Sequence, residues 1–437
     1  MKTFAKGFGA VVALGAILVG LAFAWSMFRI RGQADVTSAV GPAVRQKTKE
    51  ELIAEARERS SRINALYMTA DVANDPGMGA AALREKIIGL AQASEINGIV
   101  IDVKEVCGPD YNEVRLKDLL RELHQKNIWA IARIVSFKDA SQRQAHPEWY
   151  LTRRSGREVS DGCAAKHHLV LNGHAGDPQP IFWRDNKGGY WMDPASQGAR
   201  QYLAGIAEKM IDLGFDELQF DYVRFPSDGD VSAALYPVWD KTTPRYAVME
   251  DFFRFLNHTL KEYRPEIILS ADLFGYVAVQ HEDETIGQRL EDIGDSFDYV
   301  SFMVYPSHYY AGLFLLADPS RNLTAVNYSF AQARANPGVV VERSLYVAHD
   351  FLNELVASST ATTTPPMPRS SARLRPWLED FFHEADRLSG RPYGTEKVRM
   401  QIDAAERVER HGWMLWNASN IYTSGALKKK NAASAEK

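Results

Sequence analysis

Eight short apolar runs recur along the chain, and each of the first seven is followed by a segment with helical periodicity. Continuous apolar runs are typical of strands buried on both faces, and their alternation with helices predicts βα units and a parallel sheet. A count of eight favours a closed (β/α)8 TIM barrel over an open doubly wound sheet. The expected strands are residues 63–70, 98–103, 128–135, 217–225, 267–274, 299–305, 374–381 and 412–416.

The segments between these runs predict helices at residues 80–94, 116–125, 197–213, 246–263, 284–293, 339–355 and 396–410. No Gly-rich dinucleotide fingerprint follows the first strand and the sequence contains no P-loop, so no cofactor is expected. The chain has 51 basic and 55 acidic side chains, a formal net charge of −4. This balance argues against binding to nucleic acid through bulk electrostatics.

The predicted barrel spans residues 62–424, which is longer than the ~250 residues that this fold usually needs. Two insertions are expected to contribute to the excess: a polar stretch containing histidines at 154–182 and a Ser/Thr/Pro run at 358–371. A polar stalk is expected at residues 32–61 and a basic, solvated tail at residues 425–437.

The amino terminus, residues 1–31, contains 22 consecutive uncharged positions at residues 7–28. At ~1.5 Å per residue, this run is long enough to span a hydrocarbon core of ~30 Å. A cleavable signal peptide is the alternative, because Ala22-Phe23-Ala24 resembles a cleavage site. The run continues to Phe28 and so favours an uncleaved transmembrane anchor. Either interpretation places the barrel outside the cytoplasm, in the periplasm or at the cell surface, or secreted if the segment is cleaved.

Polar side chains cluster where the expected strands end, which is where catalysis takes place in this fold. Glycoside hydrolysis needs one acid to protonate the leaving oxygen and one carboxylate as nucleophile or base, and aromatic faces to hold sugar rings. Trp191, which precedes strand 4, is a further candidate platform for a sugar ring. The carboxylates are Asp102, Asp221, Asp272 and Asp380, and the side chains around them are Lys104, Arg133, Arg224, Tyr305, His308, Trp377, Trp416 and Asn417.

Each of these aspartates could instead cap the helix that follows its strand. Asp102, Asp221 and Asp272 lie within apolar strand registers, where an uncompensated buried carboxylate is costly. Their position therefore favours a functional role for these three over the capping interpretation.

A resemblance to a known family rests on ten segments of the chain: residues 65–70, 100–104, 131–139, 146–149, 183–185, 191–194, 219–226, 303–309, 375–378 and 415–420. The longest are Ile131-Ala-Arg-Ile-Val-Ser-Phe-Lys-Asp139 and Gln219-Phe-Asp-Tyr-Val-Arg-Phe-Pro226. These segments resemble those of a "putative glycoside hydrolase" family, catalogued as a domain of unknown function and related to the α-amylase-like barrels. The resemblance covers residues 62–424, and it implies a TIM barrel that acts on a glycan.

The resemblance also implies roles for individual residues. In α-amylase-like barrels the nucleophile is an Asp at the end of strand 4, which is Asp221 in this chain. Their acid is a Glu that ends strand 5, whereas this chain has Asp272 at that position. Asp380 would correspond to a third carboxylate at the end of strand 7. The substrate or transition-state contacts would then be Asp102, Lys104 and Arg133.

The two cysteines belong to loops on one face of the predicted barrel, because Cys107 follows strand 2 and Cys163 lies in the insertion after strand 3. A disulfide that ties the insertion to the site is favoured, because an oxidising compartment would allow the two cysteines to pair, and two free thiols are the alternative. The insertion also holds His167, His168 and His174, whose spacing matches no standard zinc pattern, so no metal site is expected.

The sequence therefore predicts a membrane-anchored glycoside hydrolase outside the cytoplasm that acts on a polysaccharide or oligosaccharide. Asp221 is the expected nucleophile or base and Asp272 the expected general acid. Asp102 and Asp380 are the alternative catalytic carboxylates. Two alternatives stay open: a non-catalytic glycan-binding or cell-envelope protein on the same barrel, and, as the weaker one, a metal-dependent polysaccharide deacetylase.

Overall fold

A computed structural model describes residues 45, 47–155, 161–163, 181–356, 367–381, 383 and 393–430. The predicted membrane segment at residues 7–28 lies outside these ranges, as do most of the two predicted insertions. Among the described residues, no helix combines the length and the apolar character needed to cross a bilayer.

The barrel is built from β1 (Ile63–Met68), β2 (Gly98–Glu105), β3 (Trp129–Val135), β4 (Glu217–Asp221), β5 (Ile268–Phe274), β6 (Tyr299–Met303), β7 (Trp377–Glu379) and β8 (Gly412–Trp416). Each of these strands pairs in parallel with the next one along the chain. β1 also pairs in parallel with β8, so the sheet closes on itself. This closure confirms the predicted (β/α)8 architecture.

Helices follow the strands on the outside of the barrel, as the periodicity of the sequence predicts. Three short helices, Ala70–Asn74, Gly275–Gln280 and Phe330–Ala335, lie in the connections. The predicted bounds of the helix after β3 and of strand β8 agree with the structure to the residue. The labelled helices are α1 (Lys49–Arg59), α2 (Met78–Ala93), α3 (Glu113–Gln125), α4 (Gln197–Leu213), α5 (Arg245–Tyr263), the short α6 (Leu290–Gly294), α7 (Pro337–Asn353) and α8 (Thr395–Val408).

The two faces of each strand carry different side chains, because successive residues point to opposite sides of a sheet. Leu66 of β1 packs in the large core between the strands and the helices, whereas its neighbour Tyr67 belongs to a smaller cluster inside the barrel. Val100 of β2 also lies in the inner cluster. Asp102, two residues further on, therefore faces the barrel interior near the carboxyl end of its strand.

Among the strands, β4 and β7 differ most from their predicted bounds. β4 stops at Asp221, before the predicted end at residue 225, because Tyr222 adopts a left-handed backbone with φ 53° and cannot continue a strand. β7 is separated from a two-residue strand, Arg373–Leu374, that pairs with β6. Pro376 lies between the two pieces and has no N–H to donate to the ladder.

The predicted helix at residues 284–293 is wrong in its first half. A short hairpin forms there, in which Glu282–Asp283 pairs with Gln288–Arg289. Gly287 in this hairpin has φ 75°, a left-handed conformation that interrupts a helix. Only Leu290–Gly294 is helical.

A buried polar network closes the amino end of the barrel, opposite the strand carboxyl ends. Ser60, which follows α1, is 1% exposed, and its carbonyl accepts hydrogen bonds of 2.8 Å from Arg375 and from the Tyr299 hydroxyl. Arg375 also pairs with Glu217, the first residue of β4, with Nη1 2.7 Å from Oε2 and both side chains fully buried. The last part of the predicted stalk is thus packed beneath the barrel.

The first residues of the predicted basic tail lie against the end of α2. The Lys428 amide donates to Glu95 Oε1 at 2.9 Å, and the Lys430 amide donates to the Ala93 carbonyl at 3.0 Å. The Lys428 ammonium lies 2.8 Å from Glu406 on α8. These contacts hold residues 428–430 on the barrel surface.

Candidate active site

Arg133 of β3 contacts three carboxylates at the carboxyl end of the barrel. Its Nη1 donates to Asp102 Oδ1 at 2.6 Å, its Nη2 donates to Asp221, and its Nε lies 3.7 Å from Asp272 Oδ2. Burial opposes the charge of Arg133, but the surrounding carboxylates outweigh this effect and raise its pKa. One guanidinium therefore brings together aspartates from β2, β4 and β5.

A cavity of about 430 Å³ opens at this mouth of the barrel. Its size and its aromatic lining suit a short segment of an oligosaccharide, because aromatic faces pack against the apolar faces of sugar rings. Among the lining residues, Tyr305 and Trp416 stack on one another with ring centroids 6.0 Å apart. The lining residues are Arg133, Lys187, Asp221, Tyr222, Arg224, Asp272, Phe274, Gly275, Tyr276, Met303, Tyr305, His308, Tyr309, Tyr310, Trp377 and Trp416.

Asp272 lines this cavity and is almost fully buried, with 1% of its surface exposed. Its Oδ1 accepts a hydrogen bond of 2.8 Å from the Trp377 indole. Burial and the neighbouring charge of Asp221 raise the pKa of Asp272 well above its ordinary value, and Arg133 and Trp377 offset only part of this rise. A carboxyl group with a raised pKa retains its proton and can act as a general acid.

Asp221 ends β4 and lines the cavity beside Asp272. Its Oδ1 accepts a hydrogen bond of 2.6 Å from the amide of Tyr222, the residue with the left-handed backbone. A non-glycine residue in this conformation is strained, and such strain concentrates at functional sites. Here the sharp turn directs both Asp221 and the Tyr222 ring to the same cavity.

The two cavity carboxylates lie close enough together to take part in one acid/base reaction. Asp221 and Asp272 contact neighbouring nitrogens of the single Arg133 guanidinium, which places their oxygens less than roughly 9 Å apart. This bound lies within the range of paired carboxylates in glycosidases, and both groups face one cavity. The arrangement can protonate a leaving oxygen from one side chain while the other attacks or activates water.

Asp102 lies behind Arg133 and does not line the cavity. It is 2% exposed, and the Tyr67 hydroxyl donates a hydrogen bond to its second oxygen. Burial raises the pKa of Asp102, while Arg133 and Tyr67 lower it. Its contacts position the Arg133 guanidinium.

Lys104, a predicted substrate contact, is also outside the cavity lining. The pairing register shifts between Asp102 and Lys104, and such a β-bulge redirects the side chain that follows it. The Lys104 ammonium is fully buried, 2.8 Å from Asp139 Oδ2 and 2.5 Å from the Val135 carbonyl. Burial lowers the pKa of Lys104. These contacts hold the Lys104 ammonium within the protein, away from the cavity.

Trp191 lies behind the lining of the cavity, where it is 2% exposed. Its indole donates a hydrogen bond of 3.0 Å to Asp185, and its ring lies 5.0 Å from the Arg224 guanidinium. It therefore packs behind Arg224 and does not line the cavity.

Asp380 and Asn417 contact each other and do not line the cavity. The Asp380 carboxylate accepts hydrogen bonds from the Thr423 amide at 2.8 Å and the Thr423 hydroxyl at 2.6 Å. Burial raises the pKa of Asp380 to about 6. The Asn417 amide donates to the Asp380 carbonyl and, at 2.5 Å, to the Ile421 carbonyl, so this pair ties the end of β8 to the following loop.

The acidic residue of β7 that shares the inner face with Trp377 is Glu379, which was not among the predicted site residues. Glu379 accepts hydrogen bonds from the Ser307 amide at 3.1 Å and the Ser307 hydroxyl at 2.6 Å, and lies 3.5 Å from His383. Burial opposes its charge, but these hydrogen bonds outweigh burial and lower its pKa. Its spacing of two residues from Trp377 is the signal that identifies it.

Lys187 lines the cavity, although it was not among the predicted site residues. It belongs to a turn held by Asp185, whose Oδ1 accepts hydrogen bonds from the amides of Lys187 at 3.0 Å and Gly189 at 2.8 Å. Lys138 pairs with the other oxygen of Asp185 at 2.7 Å. This turn presents the exposed Lys187 side chain to the cavity.

A disulfide joins Cys107 and Cys163 beside this turn. The amide of Gly162, next to Cys163, donates a hydrogen bond of 3.3 Å to the Gly188 carbonyl. The disulfide thus connects the loop after β2 to the turn that carries Lys187.

No group of His, Cys, Asp and Glu side chains within the described ranges is arranged to hold a metal ion. The insertion histidines His167, His168 and His174 lie outside those ranges.

Residues 65–422 match the model of a family described as "Putative glycosyl hydrolase domain". The match extends from the third residue of β1 to beyond the end of β8, and therefore includes all the residues of the cavity. No curated protein matches the chain.

Several solved structures are similar to this chain. A hypothetical protein from Ruminiclostridium thermocellum is 26% identical, over 47% of this chain and 96% of its own, with a TM-score of 0.35. The PgaB (BpsB) glycoside hydrolase domain from Bordetella bronchiseptica is 13% identical, over 82% of this chain and 93% of its own, with a TM-score of 0.48. An α-amylase from Geobacillus thermoleovorans is 11% identical, over 82% of this chain and 70% of its own, with a TM-score of 0.43.

Proposed function

The chain belongs to the family described as putative glycosyl hydrolase domains, and from this premise we propose that it hydrolyses O-glycosidic bonds in a polysaccharide or oligosaccharide. The observation that carries this proposal is the joint contact of Asp221 and Asp272 with Arg133 inside an aromatic cavity. Hydrolysis needs two carboxyl groups in different protonation states on either side of one glycosidic bond.

Asp272 is the proposed general acid. Its raised pKa keeps the carboxyl protonated at pH values where an ordinary aspartate is ionised, so that it can donate the proton to the leaving oxygen. Asp221 is the proposed nucleophile, or the base if water attacks directly. Arg133 orients both groups and balances negative charge in the site, where the low dielectric strengthens its effect.

Substitution of the two aspartates tests these roles with full-length protein. We expect Asp221→Asn to abolish release of reducing sugar from a panel of bacterial and plant polysaccharides while the protein still folds, because Arg133 keeps its contacts with Asp102 and Asp272. Asp118→Asn, an exposed carboxylate on α3, is the matched control and should retain full activity. Full activity of Asp221→Asn would remove this residue from the mechanism.

Aryl glycosides with different leaving groups separate the acid from the nucleophile. A good leaving group such as dinitrophenolate departs without protonation, so Asp272→Asn should be impaired much less on this substrate than on a natural linkage. Asp221→Asn should be inactive on both. Equal losses of Asp272→Asn on both substrates would reject Asp272 as the acid.

A non-catalytic glycan-binding protein is the second candidate, and one observation favours it. Both oxygens of Asp272 face protein partners, Trp377 and Arg133, and aspartate is one methylene shorter than the glutamate acid of α-amylase-like barrels. Saturable binding of a polysaccharide by wild-type protein with no product formed over long incubation would identify this function.

The location outside the cytoplasm and the membrane anchor are further parts of this proposal. They are supported by the uncharged run at residues 7–28 and by the Cys107–Cys163 disulfide, because disulfides persist in oxidising compartments. Fractionation of cells that express the full chain, with a protease accessibility assay, tests both. Recovery of the protein in the soluble cytoplasm would reject them.

A further inference from the structure

Arg224 is a buried cation that lines the cavity without an ionic partner. It is 7% exposed, and its Nη1 donates a single hydrogen bond of 2.9 Å to the Phe225 carbonyl. No carboxylate of the described residues lies within 4.0 Å of its guanidinium, in contrast to Arg133. A buried charge is costly unless something in its surroundings compensates for it.

Aromatic rings surround this guanidinium. Its carbon lies 4.6 Å from the centroid of Phe274 and 5.0 Å from the centroids of Trp191 and Tyr222. Ring faces attract a cation, but they offer no acceptor for the N–H groups that remain beyond the Phe225 bond. Burial lowers the pKa of Arg224, and the charges of Asp221, Asp228 and Asp185 offset only part of this effect.

Lys187 adds a second cation to the same cavity. Its ammonium makes no ion pair with a described residue, and its charge acts on both Tyr222 and His308, which line the cavity. The lining thus contains three basic side chains, Arg133, Arg224 and Lys187, against the carboxyl groups of Asp221 and Asp272. Arg133 is balanced by its own carboxylates, so Arg224 and Lys187 are left to face a ligand.

We infer that the cavity accepts a sugar carrying an anionic group, held by Arg224 with Lys187 as the second contact. The planar fork of an arginine matches a carboxylate, sulfate or phosphate with two parallel hydrogen bonds. Hexuronic acids and sulfated or phosphorylated sugars share this chemistry. The inference rests on the proposed function, because it names the substrate class of the same site.

Binding measured separately from turnover tests this inference. The probes are acidic oligosaccharides, each paired with its neutral counterpart: hexuronate oligomers with their carboxyl-reduced forms, and sulfated or phosphorylated oligomers with their unmodified forms. We expect at least one acidic member to bind at least ~10-fold more tightly than its neutral counterpart, as a charge-assisted hydrogen bond allows. The pair that shows the preference identifies the anionic group.

Variants then assign the preference to residues. Arg224→Met should abolish the preference for the acidic member, whereas Arg224→Lys should restore part of it because it retains the charge and loses the fork. Lys187→Gln should reduce the preference without affecting folding, since Lys187 is exposed. Lys209→Gln, an exposed lysine on α4, is the matched control and should bind like wild type.

The outcomes separate this inference from the proposed function. Hydrolysis of neutral glycans with no preference for an acidic member would overturn the inference and leave the hydrolase intact. An acidic preference that depends on Arg224, without any turnover, would support the inference and reject hydrolysis. Absence of binding to every acidic probe, or a preference unchanged in Arg224→Met, would overturn the inference.

Discussion

The indole nitrogen of Trp377 on β7 donates a hydrogen bond of 2.8 Å to Asp272 on β5, across the mouth of the barrel. This bond stabilises the ionised form of Asp272 and so lowers its pKa, against the larger opposing effect of burial. The aromatic lining of the cavity therefore contributes to the electrostatics of the site. It also tunes the acidity of the proposed general acid.

Replacement of Trp377 by Phe should move the alkaline limit of activity to higher pH. The variant keeps the aromatic ring but loses the N–H donor, so the pKa of Asp272 rises further and the acid stays protonated to higher pH. The measurement is the pH profile of kcat/KM, which reports ionisation in the free enzyme. If the alkaline limb of the profile is unchanged, the ionisation of Asp272 does not determine that limb. A change in KM without a shift of the limb would indicate only that the smaller Phe ring packs less well in the cavity.

Replacement of Arg133 by Gln should destabilise the fold in a pH-dependent manner. Removal of one partner from a buried charge cluster costs about 3–5 kcal/mol at neutral pH. Without Arg133, the pKa values of Asp102 and Asp272, which burial already raises, rise further. For an acid whose pKa is raised on folding, stability is lost as pH rises, so the deficit should be largest at pH 7 and smaller near pH 4.

Urea unfolding of Arg133→Gln and wild type at several pH values measures this deficit. Arg121→Gln is the matched control, because Arg121 pairs with Asp118 at the surface with both side chains largely exposed, and its loss should matter little at any pH. A deficit of Arg133→Gln that is the same at pH 4 and pH 7 would contradict the role of the carboxylates.

The barrel could be predicted from the sequence because parallel strands buried on both faces must be continuously apolar, and eight such runs are visible. The errors lie where one residue overrides the pattern. Pro376 interrupts β7, the left-handed backbone of Tyr222 ends β4, and Gly287 replaces half of a predicted helix by a hairpin. Such local backbone conformations depend on tertiary contacts that periodicity does not report.

The strand-end part of the site could be predicted for a related reason: closure of a barrel brings the carboxyl ends of all its strands to one mouth. Asp221, Asp272 and Arg133 meet there as expected from their positions. Lys104 does not, because a β-bulge after Asp102 redirects it. Lys187 could not be foreseen, since the turn that presents it depends on Asp185 and on contacts with the Cys163 region.

Strand register also distinguishes the two acidic residues at the end of β7. Trp377 lines the cavity, so Glu379, two residues later, shares its face, whereas Asp380 points elsewhere and binds Thr423. To choose between neighbouring acidic residues, one must know which residues of the strand face the barrel interior. An apolar run of three or four residues does not show this.

The buried ion pair at the amino end of the barrel should affect stability without affecting activity. Arg375 and Glu217 are fully buried at 2.7 Å, and the Trp129 indole also donates to Glu217 at 3.1 Å. Arg375→Met leaves Glu217 uncompensated and should cost about 3–5 kcal/mol. The remaining folded protein should keep wild-type kcat, because the cavity lies at the other end of the strands.

The double variant Arg375→Met/Glu217→Met provides the control for this prediction. Replacement of both partners of a buried ion pair by apolar residues is often neutral or stabilising, so the double variant should recover most of the stability lost in Arg375→Met. Chemical unfolding and kcat are measured for all three proteins. A double variant as unstable as the single one would mean that packing, and not the uncompensated charge, accounts for the loss.

Reduction of the disulfide should weaken substrate binding more than it slows the chemical step. The Cys107–Cys163 bond closes a sequence separation of 56 residues, and loss of such a link typically costs about 2–5 kcal/mol of stability. Locally, it releases the Gly162 contact with Gly188 in the turn that presents Lys187, whereas Asp221 and Asp272 stay on their strands. We therefore expect a dithiol to raise KM several-fold with little change in kcat, and to speed amide hydrogen exchange at residues 185–190.

The variant Cys107→Ser/Cys163→Ser is the control for this prediction. It should behave like the reduced protein, and the dithiol should not change it further. A large loss of kcat in both the reduced protein and the variant would mean that the disulfide acts on the strand ends and not on this turn.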